Sequence, residues 1–229
     1  MLRNLLNFDI IQTLYFIPIV LITLTVHEFA HGYIAYKMGD YTASIMGRLT
    51  LNPIKHIDPI GLIMMIVVGF GWAKPVPINP RNFKNPKKGM ALSALAGPVA
   101  NIIMAIIGVL IYSILLRIFI AAQIFNTFAQ SALIFFNYFA MLNVWFAVFN
   151  LIPIPPLDGS RIVSYFLPPK LYYYYNYVER YGFLVLIILI YGGRIFPFLN
   201  IIGGLQIVAG WILRGINAPI NWIFSLFGG

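Results

Sequence analysis

The chain has no cysteine, which removes disulfides and thiolate metal ligands from every reading of it. Acidic residues are almost missing as well: six in 229 positions, against fifteen Lys and Arg. Charged residues make up 9% of the sequence, whereas soluble domains carry about 25%. Histidine occurs three times. No internal repeat is evident, and no loop is long enough to fold as a separate soluble domain. An ordinary soluble enzyme is excluded by these lacks. They also give weight to any carboxylate or imidazole found inside an apolar run.

What is present is mostly apolar, 61% of the residues, in stretches that reach the roughly 18–20 residues needed to cross a bilayer core. The net charge of +9 does not point to nucleic acid, because eight of the fifteen basic residues lie between Lys37 and Lys88 in loops beside apolar segments. That pattern reads as a positive-inside signal and as contact with anionic headgroups. The expected partner is the lipid bilayer, with no nucleic acid. The apolar run from Ile10 has no small-residue cleavage site ahead of the histidines, so it reads as an uncleaved first membrane helix.

Along the chain, residues 10–36 predict the first helix, stopped at Gly39. Residues 41–52 alternate like a strand, with Ala43, Ile45, Gly47, Leu49 and Leu51 in phase. Residues 60–71 are too few to span comfortably, and "WAKPVPINP" reads as extended because of its prolines. Long helices are expected over 90–120 and 129–152, the latter broken by "NLIPIPPLDG". The stretch "KLYYYYNYVERYG" resembles an interfacial aromatic belt. Two further apolar segments cover 182–202 and 203–228. The expected fold class is an all-α polytopic membrane protein. It would have about five transmembrane helices, plus a re-entrant segment with short membrane-associated β-strands. It forms one domain over 1–229, with a catalytic core over roughly 10–166 and C-terminal membrane helices over roughly 181–228.

The chemistry is concentrated in "TLTVHEFAHGY", residues 23–33. Residues four apart on a helix share a face, about 6 Å apart along the axis. His27 and His31 can therefore grip one ion, and Glu28, turned roughly 100° away, can take a proton from a water the metal activates. A charged side chain at mid-helix costs about 2.5–3.5 kcal/mol, so a purely structural reading of the three residues is expensive. A catalytic zinc site uses three protein ligands and one open position. Among the remaining acids, Asp9 precedes the helix, Asp40 fits a turn cap, and Glu179 fits a solvated pair beside Arg180. Asp158 ends "PIPPLDG", where prolines unwind an apolar segment, and non-helical backbone at membrane depth lines a cavity or is buried in protein. Asp158 is the preferred third ligand, with His56 and Asp58 as the alternative pair. If residues 60–72 dip into the membrane and return, the basic loop 81–88 stays on the cytoplasmic side. Asp158 then arrives at the His27/His31 end, with an outward Arg117 snorkelling to the interface.

"HEFAH" together with "NLIPIPPLDG" resembles the site-2 protease family of intramembrane zinc metalloproteases. "TLNPIKHIDPIG", "GWAKPVPINPRNF" and "ALAGPVANI" look like its compact prokaryote-type branch, without PDZ or CBS domains. The resemblance covers most of residues 20–166. It implies hydrolysis of peptide bonds in transmembrane substrate proteins by water activated on one Zn2+, in regulated intramembrane proteolysis. It places the metal on His27, His31 and Asp158, the proton acceptor on Glu28, and an assisting amide on Asn150. It also implies a multi-pass protein of a prokaryotic plasma membrane, with the active site toward the cytoplasm. An unwound substrate would pair with extended edges at 43–51 or 73–79. The competing readings are a multi-pass metal transporter, which would want several sites and repeat symmetry, and a non-proteolytic membrane scaffold, which would want a broken motif. Asn101 fits close helix packing through Gly97, Ala100 and Ala105. His56 fits the bracing of its own turn, and Arg161 a contact supporting the Asp158 loop.

Overall fold

The structure is a computed structural model that describes residues 10–61, 73–195 and 201–226. Its eight α-helices in the described residues are α1 (Ile10–Lys37), α2 (Thr42–Ile45), α3 (Pro86–Ala121), α4 (Thr127–Asn150), α5 (Asp158–Phe166), α6 (Pro169–Glu179), α7 (Gly182–Ile195) and α8 (Ile201–Ser225). Helix α3 is the hub, packing on α1, α4, α5 and α8. Its 36 residues run about 54 Å, well beyond a hydrocarbon core of about 30 Å. It is therefore longer than one crossing needs, and at its N-terminal end Lys87 lies 4.5 Å from the centre of the Tyr172 ring.

Three helical stretches are long and apolar enough to cross a membrane: Tyr15–Lys37, Pro86–Ala121 and Thr127–Asn150. The expected five are not reached among the described residues. Helix α7 has 14 residues, about 21 Å, and α8 carries Gln206, Arg214, Asn217 and Asn221 among its apolar residues. The expected re-entrant turn falls on residues 62–72, outside the described residues. Small residues let the bundle close. A side chain at Gly108 would meet the Phe139 ring at 2.9 Å, and Ala105, Val144, Val148 and Ala209 form a core cluster of α3, α4 and α8. Arg117 does not simply snorkel. It donates to the Ser113 carbonyl at 3.1 Å and stacks 4.2 Å from the centre of the Phe224 ring, a cation–π contact that holds α8 to α3.

The expected strands are corrected: among the described residues there is one isolated antiparallel bridge, between Ile57 and Ala73, and no strand. Residues 42–45 form α2 instead. The period-two pattern was misleading because capping groups decide this segment. Asp40, one residue before the N-cap Tyr41, accepts from the Thr42 backbone N–H at 3.1 Å, an Asx turn that leads into the helix. Gly47, at φ +63°, closes the other end, with Arg48 N–H on the Ala43 carbonyl at 2.8 Å and Gly47 N–H on Ser44 at 3.0 Å. The same left-handed closure ends α1. There Gly39 has φ +102°, and Asp40 N–H reaches the Ala35 carbonyl at 3.0 Å.

Asp40 is the knot of this region. It is 1% exposed and accepts from the Thr42 hydroxyl, from Asn82 Nδ2 at 2.7 Å and from Asn79 N–H at 2.7 Å. Burial pushes its carboxyl up, but these donors outweigh burial and hold it below the usual value of 3.8. A lowered folded-state value means the stabilisation is complete above 3.8 and is lost as pH falls through the lower folded-state value. Asp40→Ala is expected to destabilise the detergent-solubilised protein by about 1–3 kcal/mol at neutral pH. In thermal melts followed by tryptophan fluorescence, the gap between variant and wild type should shrink as the buffer goes from pH 6 to pH 3.

Candidate metal centre

His27 and His31 lie one turn apart on α1, 4% and 7% exposed, with ring centroids 4.5 Å apart at right angles. Asp158 comes from the other side of the bundle, at the start of α5. Its Oδ2 lies 3.1 Å from His27 Nε2 and 3.3 Å from His31 Nε2. Ligands on a tetrahedral zinc at 2.0–2.1 Å sit about 3.3 Å from one another, so the spacing suits one ion. Asp158 Oδ2 is buried and has no hydrogen-bond partner, an uncommon state for a carboxylate oxygen and the one a cation would relieve. Among the described residues, this trio is the one acid/imidazole group whose ligand atoms converge, all within 4.8 Å of one another.

Helix α3 sets the imidazoles. His31 Nδ1 donates to the Ser93 carbonyl at 2.7 Å, which leaves the Nε2 lone pair directed at the ion position. Ser93 Oγ donates in return to the His31 carbonyl at 2.8 Å. One turn later, Gly97 lies flat against both rings: a Cβ there would sit 2.5 Å from His31 Cε1 and 2.6 Å from His27 Cε1. On the Asp158 side, a side chain at Gly159 would strike the carbonyls of Leu151 and Ile152. The glycine is needed for close approach rather than for a freed backbone.

Glu28, turned away from the two imidazoles, accepts from the Val76 backbone N–H at 2.8 Å through Oε2. Asn150, at the end of α4, is half-buried and gives one amide hydrogen to the Phe146 carbonyl at 3.0 Å. His56 and Asp58 do not join the trio. His56 Nε2 bonds the Thr50 carbonyl at 2.8 Å, and Asp58 accepts from Gly61 N–H at 2.9 Å, so both brace their own turn. Arg161 and Glu179 pair with each other. Arg161 thus supports the loop by tying α5 to α6, and Glu179 is not the partner of Arg180, which stacks 5.2 Å from the Tyr177 ring. Burial pushes the Tyr175 phenol up, so it stays protonated and donates to the Pro153 carbonyl at 2.7 Å. The Tyr-rich helix therefore holds the loop before Asp158 as well as presenting exposed rings at Tyr173, Tyr174 and Tyr177.

The segments expected to offer strand edges form no strand among the described residues. Residues 42–45 are helical. In 74–79, the N–H groups of Lys74, Val76 and Asn79 and the carbonyls of Lys74 and Pro75 already have partners within the protein.

An apolar helical bundle carrying such a centre defines a membrane metalloenzyme, and comparison with known proteins narrows the class. Residues 15–189 match peptidase family M50, and the chain belongs to that family. It is 43% identical to "Putative zinc metalloprotease YwhC" of Bacillus subtilis over 76% of this chain and 79% of that protein. It is 30% identical to "Putative zinc metalloprotease Rip2" of Mycolicibacterium smegmatis over 74% of this chain and 64% of that protein. No solved structure matches the chain. The protein is a membrane zinc metalloprotease of the site-2 protease type.

Sequence reading did not single out Ser93 or the contact of Gly97 with the imidazoles. The only signal was the small-residue run "ALAGPVANI". Gly97→Ala is expected to push the rings apart and weaken zinc binding about 10- to 100-fold, the usual scale for disturbed support of a ligand. Competition with a fluorescent zinc chelator would measure it.

Proposed function

We propose that this metalloprotease cuts transmembrane substrate proteins within or beside the bilayer, as in regulated intramembrane proteolysis, and that His27, His31 and Asp158 hold its single zinc. The observation that carries this reading is the meeting of two imidazole nitrogens and a carboxylate oxygen inside an apolar helix bundle. His31 and His27 lie six and ten residues before the end of α1 at Lys37, about 9 and 15 Å along the helix. That depth, together with the basic loops near Lys37, supports a multi-pass arrangement whose active site opens to the cytoplasmic face.

Bound at this trio, zinc supplies a Lewis acid that makes water acidic near neutral pH and polarises the scissile carbonyl. Glu28 takes the proton as the water oxygen bonds to the carbonyl carbon, then delivers it to the leaving amine as the C–N bond breaks. Asn150 keeps one amide hydrogen for the developing oxyanion. Ser93 holds His31 in the tautomer that presents Nε2. A substrate helix must unwind first, because its peptide bonds are shielded by its own hydrogen bonding. The domain works as one unit over residues 1–229, with the catalytic parts between 10 and 166.

The test joins metal content to cleavage of a single-span membrane substrate by the purified protein. Wild type and Glu28→Ala are expected to hold about one zinc per chain and Asp158→Ala much less, with cleavage by wild type alone. Full zinc in Asp158→Ala would move the third ligand elsewhere, and cleavage by Glu28→Ala would remove Glu28 as the proton acceptor.

A further inference from the structure

Residues 74–79 cross α1 as a non-helical strap that is fastened along its length. Lys74 N–H bonds the His56 carbonyl at 2.9 Å, and Asn79 N–H bonds Asp40 Oδ2 at 2.7 Å. Arg48 Nη2 donates to the carbonyls of Lys74 at 2.9 Å and Pro75 at 3.2 Å. Between these fastenings the Val76 side chain is buried, 7% exposed, over a helix position that has no side chain. A Cβ on Gly32 would come within 3.0 Å of Val76 Cγ1 and 3.3 Å of Leu49 Cδ1. Pro75 and Pro77 have no N–H, so Val76 is the only main-chain donor in that run. It gives its hydrogen to Glu28 Oε2 at 2.8 Å.

A carboxylate on a flexible stem is slow to find one geometry, and a misplacement of about 1 Å can cost a factor of about 100 in rate. A donor carried by a strap tied at both ends removes that freedom. With Oε2 engaged, Oε1 is the oxygen left to face the reacting water. We propose that Arg48 is a positioning residue for catalysis: by holding the Lys74 and Pro75 carbonyls it seats the Val76 amide on Glu28, and so aims the proton acceptor. This rests on the reading of Glu28 given above. It assigns a role to a half-buried arginine in a loop that contributes no member of the metal trio.

The experiment uses the full chain in detergent with a single-span substrate, measuring zinc per chain, KM and kcat for wild type, Arg48→Gln, Arg48→Lys and Glu28→Gln. Arg48→Gln is expected to keep about one zinc and an unchanged KM, and to lose about 10- to 100-fold in kcat. Arg48→Lys should recover part of that loss, because an ammonium can reach one carbonyl but lacks the planar fork. Adding Arg48→Gln to Glu28→Gln should lower the residual rate no further, since the residue it positions is already disabled. With Glu28→Gln inactive, any of four results overturns the strap alone: wild-type kcat in Arg48→Gln, a loss confined to KM, loss of zinc in Arg48→Gln, or no recovery with lysine. A Glu28→Gln enzyme at the wild-type rate would instead overturn the reading of Glu28, and the strap with it.

Discussion

The polar chemistry inside this bundle depends on how closely α3 approaches α1. Two imidazoles on an apolar helix are costly wherever a nitrogen goes unmet, because a buried polar group left alone costs about 1–3 kcal/mol and hydrocarbon offers no water as a substitute. Helix α3 meets His31 Nδ1 with backbone rather than a side chain, while His27 Nδ1 is buried with no hydrogen-bond partner among the described residues. The Ser93 carbonyl takes the His31 proton, and Gly97, next to the buried Pro98, removes the one Cβ that would hold the helices apart. The reciprocal bond from Ser93 Oγ to the His31 carbonyl makes the contact a fixed register instead of a sliding apolar surface. Ligand orientation is thereby carried by the hub helix of the fold, and rigid elements position ligands better than loops do.

Asp158 is a harder case, because it follows an irregular run of prolines. The loop is immobilised from outside. Tyr175 donates to the Pro153 carbonyl, Arg161 and Glu179 join α5 to α6, and Gly159 lets the α5 start press onto the carbonyls of Leu151 and Ile152. Helix α6, whose rings look like interface anchors, therefore also supports the centre. The two roles are compatible because the helix has two faces: Tyr173 and Tyr174 are exposed while Tyr175 turns inward.

His27, Glu28 and His31 were legible because one-face spacing is a property of a single helix, and a chain with six acids and three histidines leaves few alternatives. Asp158 was legible by elimination among those acids, and the helices over 86–121 and 127–150 from their apolar length. The strand expectation failed where local capping overrode alternation: Asp40 and Gly47 bound a helix whose residues happen to alternate. Ser93, the contact of Gly97 with the imidazoles, Val76 and the Arg161–Glu179 pair stayed hidden for a different reason. Each owes its role to the register between two segments distant in sequence, and neither composition nor periodicity encodes that register. The neighbour of Glu179 in sequence is Arg180, but its partner in space comes from the preceding helix.

Register also explains one of the two side-chain amides buried in the apolar core, Asn143; the other, Asn101, has no hydrogen-bond partner among the described residues. Thr23, one turn before His27, is fully buried. Asn143 on α4 donates to its hydroxyl at 3.0 Å and to the Phe139 carbonyl at 2.9 Å. Such a bond between membrane helices contributes only about 0.6–2 kcal/mol, too little to explain the bundle's stability. Its value lies in direction. The hydrophobic effect is itself non-directional, whereas this bond is satisfied at one height of α4 along α1. A shift of one turn is about 5.4 Å, and α4 ends at Asn150, eight positions before Asp158. A zinc ligand must stand within about 2.0–2.2 Å of the ion, and a slip of that size would carry Asp158 out of reach of His27 and His31. The Thr23–Asn143 bond thus adds direction to the apolar packing, favouring the height of α4 along α1 at which Asp158 meets His27 and His31.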